Sequence, residues 1–451
     1  VHQHDQALNK FLEDYILNNG ENYKSIMDML ERKEPDIKNI KSGSILIEEN
    51  KDLITQSIEI VKNLNNSYLT IQGPPGTGKT YTSAKIIIEL MKAGKKVGVT
   101  SNSHEAIKTL LIAIEQQAVD QNYEFSGMRK SKSSDKHDWK FIRNVTTGKP
   151  LNMDSYSLFA GTSWFFVDPR MNKTLDYLFI DEAGQVALGT TIANATSADN
   201  LVLIGDQMQL SQPMRAKHEG YARMSSLDFI LEDDDTISTD KGVFLNVTRR
   251  LNKKICNYIS TSFYDSRLTS DPITETRSVN LKLDPIKDEG LFYVPIDHNG
   301  CSQRSDEEAD LVEKVFNKIV NKEYKSENIT GKISAKDIMV VAPYNAQANN
   351  IRERLKKKFK DDVRVGTIDL FQGQEAKVVL ISMTTSDVES LPRHKDFFFS
   401  RNRLNVAISR AECVAIIIFN ENLLLASASN IKEMKLINSF CKLLEFKTNY
   451  K

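Results

Sequence analysis

Cysteine is scarce in this chain. Cys256, Cys301, Cys413 and Cys441 are the only four among 451 residues, lie far apart, and form no C-x-x-C pair. That pattern argues against a zinc ribbon or an iron–sulfur cluster, and for reduced thiols in a cytoplasmic setting. Net charge is missing as well: 60 basic residues face 60 acidic ones. No overall field draws the chain onto nucleic acid, so any such binding must come from local patches. Long apolar runs are absent. The longest, such as residues 414–419, are far too short to span a bilayer, and no membrane partner is expected. No secretory signal peptide is expected from this sequence. The chain opens on Val1 and not on methionine, as expected of a piece of something longer. What is present is ordinary for a soluble globular protein, with 40% apolar and 27% charged residues. The length suffices for two or three domains with substantial cores.

One stretch organises the rest: Gly73-Pro74-Pro75-Gly76-Thr77-Gly78-Lys79-Thr80 fits the phosphate-loop pattern G-x-x-x-x-G-K-[ST] in full. Residues 67–72 before it read as a short buried strand. Residues 81–93 after it read as a helix with Ala84, Ile87, Ile88 and Met91 on its apolar side. A chance glycine loop is the competing reading, and these flanks favour the phosphate loop. The glycines let backbone N–H groups turn inward, and the helix N-terminus adds the positive end of its dipole. Lys79 is placed to reach β- and γ-phosphates, and Thr80 to ligate Mg²⁺.

Residues 1–45 read as a helical segment with Leu8, Phe11, Leu12, Tyr15 and Ile16 at helix spacing, a packing or stalk element without chemistry. Further strand candidates cover residues 95–101, 156–162, 176–181 and 201–205. Residues 126–150 read as a polar loop with Arg129, Lys130, Lys132, Lys136 and Lys140 close together, either solvated or touching phosphates. The apolar strand 176–181 ends in Asp181, where a phosphate-loop protein places its second Mg²⁺ contact, and the adjacent Glu182 is placed to polarise an attacking water. Strands alternating with helices predict a parallel α/β domain over 46–240, its site at the carboxyl ends of the strands.

Residues 231–241 read as an acidic linker. A second alternating series follows over 241–451, with strands at 244–247, 291–295, 337–342, 363–367, 377–383 and 413–419. It has no second phosphate loop. The default place for a nucleotide is a cleft between two such domains. Arg249, Arg250 and Arg410 stand where a partner domain would supply a guanidinium to the γ-phosphate, although most arginines are surface ion-pair partners.

With these residues in hand, the chain resembles a superfamily 1 helicase, of the branch that includes the nonsense-mediated-decay helicase and the nuclease–helicases of DNA replication. The matching motifs run in order from Gln56 to Ala411, about four fifths of the chain. Beyond the phosphate loop they include Asp181-Glu182-Ala183-Gly184-Gln185, Gly205-Asp206-Gln207-Met208-Gln209-Leu210, Gln372-Gly373-Gln374-Glu375 and Asn405-Val406-Ala407-Ile408-Ser409-Arg410-Ala411. Thr100, Ser101, His104 and Ala106 look more like the DNA nuclease–helicases than the RNA-decay branch. The carboxylate-plus-lysine motif of a RecB-like nuclease is not found, so the resemblance covers a helicase part.

That resemblance implies two RecA-like domains that use ATP and Mg²⁺. Gln56 would read adenine, Gln209 would sense the γ-phosphate, and Arg250 and Arg410 would be arginine fingers. Glu375, beside Gly373, would hold the ribose. Single-stranded nucleic acid, DNA favoured over RNA, would meet Ser101, Asn102, His104 and Thr162 in the first domain. Pro343, Tyr344, Gln347, Thr367 and Asp369 would meet it in the second, mostly at phosphate and sugar. A nuclease domain on the same or another chain is the further partner implied. Two features depart from the family. Arg249 stands where a tyrosine is common, although a guanidinium also stacks on bases, and the large inserted domains of some relatives are short here. Two rival readings stay open: an ATP-gated nucleic-acid clamp that hydrolyses ATP without unwinding, and an ATPase acting on protein partners.

Overall fold

The computed structural model describes residues 2–131, 137–146, 153–210, 220–327, 329–386 and 398–448. Lys132, Lys136 and residues 211–213 of the motif that begins at Gly205 lie outside them. The chain divides into two compact units. The first comprises Val1–Pro74, Gly78–Gln207 and Ser211–Leu245, and the second Pro75–Thr77, Met208–Leu210 and Asn246–Lys451.

In the first unit, β1 (Tyr68–Gln72), β2 (Val97–Thr100), β3 (Gly127–Lys130), β4 (Ile142–Val145), β5 (Leu158–Ala160), β6 (Leu175–Ile180), β7 (Ala198–Gly205) and β8 (Gly242–Phe244) form one sheet. Its order is β4-β3-β5-β2-β6-β7-β1-β8, and every pairing is parallel. A parallel sheet covered on both faces favours strands that are apolar nearly throughout, and β1 is buried at all five positions, Thr70 and Gln72 included. The unit's helices are α1 (His2–Asn18), α2 (Lys24–Leu30), α3 (Leu53–Lys62), α4 (Lys79–Lys92), α5 (His104–Asp120), α6 (Ser163–Phe166), α7 (Leu188–Ala195) and α8 (Ser226–Leu231). Ile71, Ile87, Val99, Leu110, Phe179 and Ile204 share its core.

Four local expectations change. The stretch 126–150 is not all loop: β3 and β4 extend the sheet, and Arg129 is buried in β3. The strand at 242–244 does not open the second series; it pairs with Thr70–Gln72 of β1. Within the acidic linker, Thr236 and Ile237 are buried, because Gln72 Oε1 accepts from Ile237 N at 2.7 Å and Gln72 Nε2 donates to Asp235 O at 3.0 Å. In α1 only Ala7, Phe11 and Asp14 are buried. Ala7 packs narrowly against Val167 and Ala193, leaving Leu12, Tyr15 and Ile16 at 49%, 51% and 77% exposure.

The second unit carries β9 (Val247–Thr248), β10 (Thr269–Ser270), β11 (Ser278–Val279), β12 (Gly290–Pro295), β13 (Glu323–Ser326), β14 (Ile329–Lys332), β15 (Ile338–Val341), β16 (Arg364–Gly366), β17 (Ala376–Ser382) and β18 (Ala411–Phe419). Its main sheet is five-stranded, order β12-β18-β17-β15-β16, and parallel throughout. A small antiparallel sheet, β11-β13-β14, and the pair β9–β10 stand beside it in the topology. Helices α9 (Lys253–Phe263), α10 (Asp306–Ile319) and α11 (Asn345–Phe359) precede two more, Arg401–Ser409 and Ile431–Cys441. Val294, Phe316, Ile338, Ile351, Leu380 and Ile416 are buried together in its core. The α/β class with parallel sheets, expected from alternation alone, is the observed one.

Candidate functional site

The phosphate loop leaves β1 where Gly73 N still donates to Gly205 O of β7 at 2.9 Å. Gly76 and Gly78 take left-handed backbone, with φ of 76° and 82°, which glycine adopts without steric cost. Lys79 opens α4, and its Nζ donates to Gly73 O at 2.6 Å. Thr80 follows in the same turn, half-buried.

Asp181 follows β6 directly, its N–H donating to Thr100 O at 2.9 Å. It is buried, and burial first, then the Glu182 charge, push its carboxyl up to about 7 against a lowering by Lys79. Asp181 Oδ1 accepts from Glu182 N at 3.0 Å. Glu182 itself sits at φ 54°, ψ 41°. Left-handed backbone is uncommon for a residue with a side chain, and such outliers gather at functional sites. Gly184 completes the turn, since a Cβ there would lie 2.8 Å from Asp206 O. The fold thus brings Lys79, Asp181 and Glu182 to the carboxyl ends of β1 and β6, which flank β7.

Gln56 does something else. Its Oε1 accepts from Glu48 N at 2.8 Å, and its Nε2 donates to Glu48 O and Lys51 O, both at 3.1 Å. The amide that was expected to read adenine holds the segment before α3. Among the expected nucleic-acid contacts of this unit, His104 and Asn102 are exposed and Thr162 is half-buried. Asn102 Nδ2 donates to Gln185 O. Ser101 is buried, with its hydroxyl enclosed, so it offers no contact to a strand. Arg129 is 2% exposed, donates to His104 O at 3.3 Å and lies 5.6 Å from the Trp139 ring. It cannot neutralise a phosphate.

In the second unit Arg250 Nε donates to Glu375 Oε2 at 2.7 Å, which brings together the expected finger and the expected ribose ligand. Gly373, two residues earlier, has φ 75°. Arg410 is buried just after the helix Arg401–Ser409, and Gln209 O accepts from Asn402 Nδ2 at 2.5 Å. Pro343, Tyr344 and Thr367 are half-buried. Asp369 is exposed and paired with Arg403 at 3.0 Å. Gln347 is fully buried: its Oε1 accepts from Ser305 N, and its Nε2 donates to Ser305 O and Ser382 Oγ, each at 3.0 Å. A saturated, enclosed amide does not reach a strand, so its expected role as a contact is withdrawn. Arg352, Arg354, Lys356, Lys357, Lys358 and Lys360 form a further basic run toward the end of α11 and just past it, and it is partly occupied. Arg354 pairs with Asp306 and Asp310, and Lys358 Nζ donates to Asn317 Oδ1.

Two family models, each described as an AAA domain, match residues 56–214 and 226–422. The DNA polymerase alpha-associated DNA helicase A of Schizosaccharomyces pombe is 25% identical over 413 residues, covering 78% of this chain and 61% of that protein. The DNA replication ATP-dependent helicase/nuclease DNA2 of Saccharomyces cerevisiae is 26% identical over 418 residues, 84% of this chain and 26% of that protein. The chain belongs to the superfamily 1 helicases. A Regulator of nonsense transcripts 1 homolog from Drosophila melanogaster is 24% identical over 428 residues, 83% of this chain and 35% of that protein. This superfamily 1 chain therefore spans less than two thirds of the length of each of these relatives.

Sequence reasoning missed the support behind the helicase motifs. Gln72 Nε2 donates to Gln207 Oε1 at 2.8 Å, and Gln207 Nε2 to Asp235 O at 2.8 Å. This buried pair joins the strand before the phosphate loop to the motif after β7. Its only sequence signal is a polar residue at each strand end.

Proposed function

We propose that this chain is an ATP-driven helicase or translocase that moves along single-stranded nucleic acid, with DNA favoured over RNA. The observation that carries the reading is the convergence of Lys79, Asp181 and Glu182 at the carboxyl ends of parallel strands. Residues 46–240 and 241–451 are read as two RecA-like domains, preceded by the helical segment 1–45.

Lys79 and Gly73–Thr80 hold the triphosphate by backbone N–H groups, an ammonium and a helix N-terminus. Thr80 and Asp181 fit Mg²⁺, which takes one or two protein oxygens plus phosphates and water; a buried carboxylate with a raised proton affinity suits a cation that replaces the proton. When bound, that ion neutralises charge on the β- and γ-oxygens. Glu182 orients and deprotonates the attacking water. Gln209 reports the γ-phosphate, and Arg250 and Arg410 meet the charge that develops on it. Glu375 exchanges Arg250 for a ribose hydroxyl. Asn102, His104, Thr162, Pro343, Tyr344, Thr367 and Asp369 remain as surface contacts for the strand.

The helicase/nuclease name of the budding-yeast relative supports a nuclease domain as a neighbour, on the same or another chain. Reduced, unpaired cysteines support a cytoplasmic setting. No helix among the described residues is long and apolar enough to cross a membrane. ATPase rates with single-stranded DNA, single-stranded RNA and neither test the reading. DNA is expected to stimulate most; equal rates in all three would reject nucleic acid as the track, and displacement of a tailed duplex separates a helicase from a clamp.

A further inference from the structure

Glu308 is fully buried in the second unit, and none of the chemistry above uses it. It sits in the first turn of α10, where its N–H donates to Ser305 Oγ at 3.1 Å. Its carboxyl collects three partners. Oε1 meets His298 Nε2 at 3.0 Å, and Oε2 accepts from Ser382 Oγ at 2.5 Å and from Thr384 N at 2.8 Å. Ser382 Oγ also takes Gln347 Nε2 of α11. One enclosed carboxyl therefore ties together the loop after β12, the start of α10, the end of β17 and the first turn of α11. Burying such a group is unfavourable unless its bonds are made, and half-made networks are worse than none.

The segment it holds is strained. Thr384 is buried at φ 73°, a sparsely populated region for a β-branched residue that persists only where the surroundings over-determine it. The Glu308 bond to its N–H is one such determinant. Next to it, Thr385 Oγ1 donates to Ser302 O at 2.5 Å and shares a hydrogen bond with the Tyr344 hydroxyl. Tyr344 precedes α11 at the carboxyl end of β15.

We infer that Glu308, backed by His298, is a positioning residue for the second unit's grip on single-stranded nucleic acid. It fixes the 382–385 segment and the first turn of α11, and through them the setting of Tyr344. The inference rests on the nucleic-acid reading above.

The test compares the full chain with Glu308→Gln and Ser382→Ala, using a thymidine oligonucleotide. Glu308→Gln keeps the shape and changes the acceptor. Ser382→Ala removes the hydroxyl that bonds Glu308 and Gln347 but leaves the carboxyl, so it stays informative if the first variant does not fold. The half-saturating oligonucleotide concentration should rise about tenfold, while ATP affinity and the rate without oligonucleotide stay within about twofold. A merely structural role would weaken oligonucleotide binding, ATP binding and the unstimulated rate together, along with the melting temperature. Half-saturation within about twofold of the unmodified chain, in a folded variant, overturns the inference. If the unmodified chain is not stimulated at all, the function reading falls first and this inference with it.

Discussion

Lys79 Nζ donates to Gly73 O at 2.6 Å, so the lysine of the phosphate loop bridges back to the loop's first residue. On the proposed reading, triphosphate binding exchanges that carbonyl for a phosphate oxygen. Lys79→Ala should weaken ATP binding at least about tenfold, or 1.4 kcal/mol. Glu182→Gln should leave ATP affinity intact while turnover falls about 10²–10⁴-fold. Equilibrium binding and single-turnover hydrolysis separate the two, and wild-type hydrolysis by Glu182→Gln would remove Glu182 as the base.

Asp181 predicts a pH signature in stability. Burial pushes its carboxyl up to about 7 in the folded chain, against about 3.9 when unfolded. Between those values the folded state holds a proton that the unfolded state has released. The contribution is present below about pH 4 and is lost as pH rises to about 7. Asp181→Asn cannot lose it. Urea melts without Mg²⁺ or nucleotide should show the asparagine variant gaining on the wild type between pH 5 and pH 8, by on the order of 3 kcal/mol. A gap that stays flat with pH would mean an ordinary carboxylate.

Arg250 and Arg410 should matter for rate and not for affinity. Arginine fingers in known cases contribute about 10³–10⁵ in rate. Arg250→Ala and Arg410→Ala should slow single-turnover, nucleic-acid-stimulated hydrolysis at least about thirtyfold, with ATP affinity nearly unchanged. Arg410→Lys should recover little, because a point charge does not match two equatorial oxygens. Arg410 is buried, so its variants need a melting control. If both alanine variants hydrolyse within about threefold of wild type, under about 1 kcal/mol of barrier, the two-arginine site is wrong.

Arg129 should behave as a core residue. Nucleic-acid affinity should fall linearly with the logarithm of salt, by about 0.7 per phosphate neutralised on a single strand. Arg129→Ala should leave that slope unchanged and lower stability by about 2–4 kcal/mol, since it empties a buried site and strands a carbonyl. A slope smaller by about 0.7, with stability intact, would return this guanidinium to the phosphates.

Gln56→Ala should loosen the main chain at Glu48 and Lys51, seen as faster amide exchange at Glu48. The preference for ATP over GTP should move by less than about threefold, because the amide serves that segment. A collapse of the preference would show that the amide leaves Glu48 for a purine.

The α/β class and the order of elements were legible because buried parallel strands carry near-continuous apolar runs, as in 413–419, and because glycines mark the loop at 73–78. The positions of Lys79 and Asp181 were legible for the same reason: one opens a helix and the other follows a strand, and periodicity locates both. Long-range partners were not legible. Nothing local to Gln347 says that Ser305 and Ser382 will saturate its amide, and nothing in a run of lysines and arginines says that Arg129 will turn inward against Trp139. Short strands such as 127–130 and 242–244 were missed or misassigned because three or four residues carry too little pattern.

The strand at 242–244 has a consequence for how the first unit comes to exist. It lines the edge of β1, the strand that leads into the phosphate loop, yet it is the last piece of that sheet to leave the ribosome. A chain cut at residue 240 would expose the hydrogen-bonding edge of β1 and invite pairing with another copy. One cut at 245 would carry its own closing strand. Five residues therefore separate a fragment prone to precipitate from one suited to expression on its own.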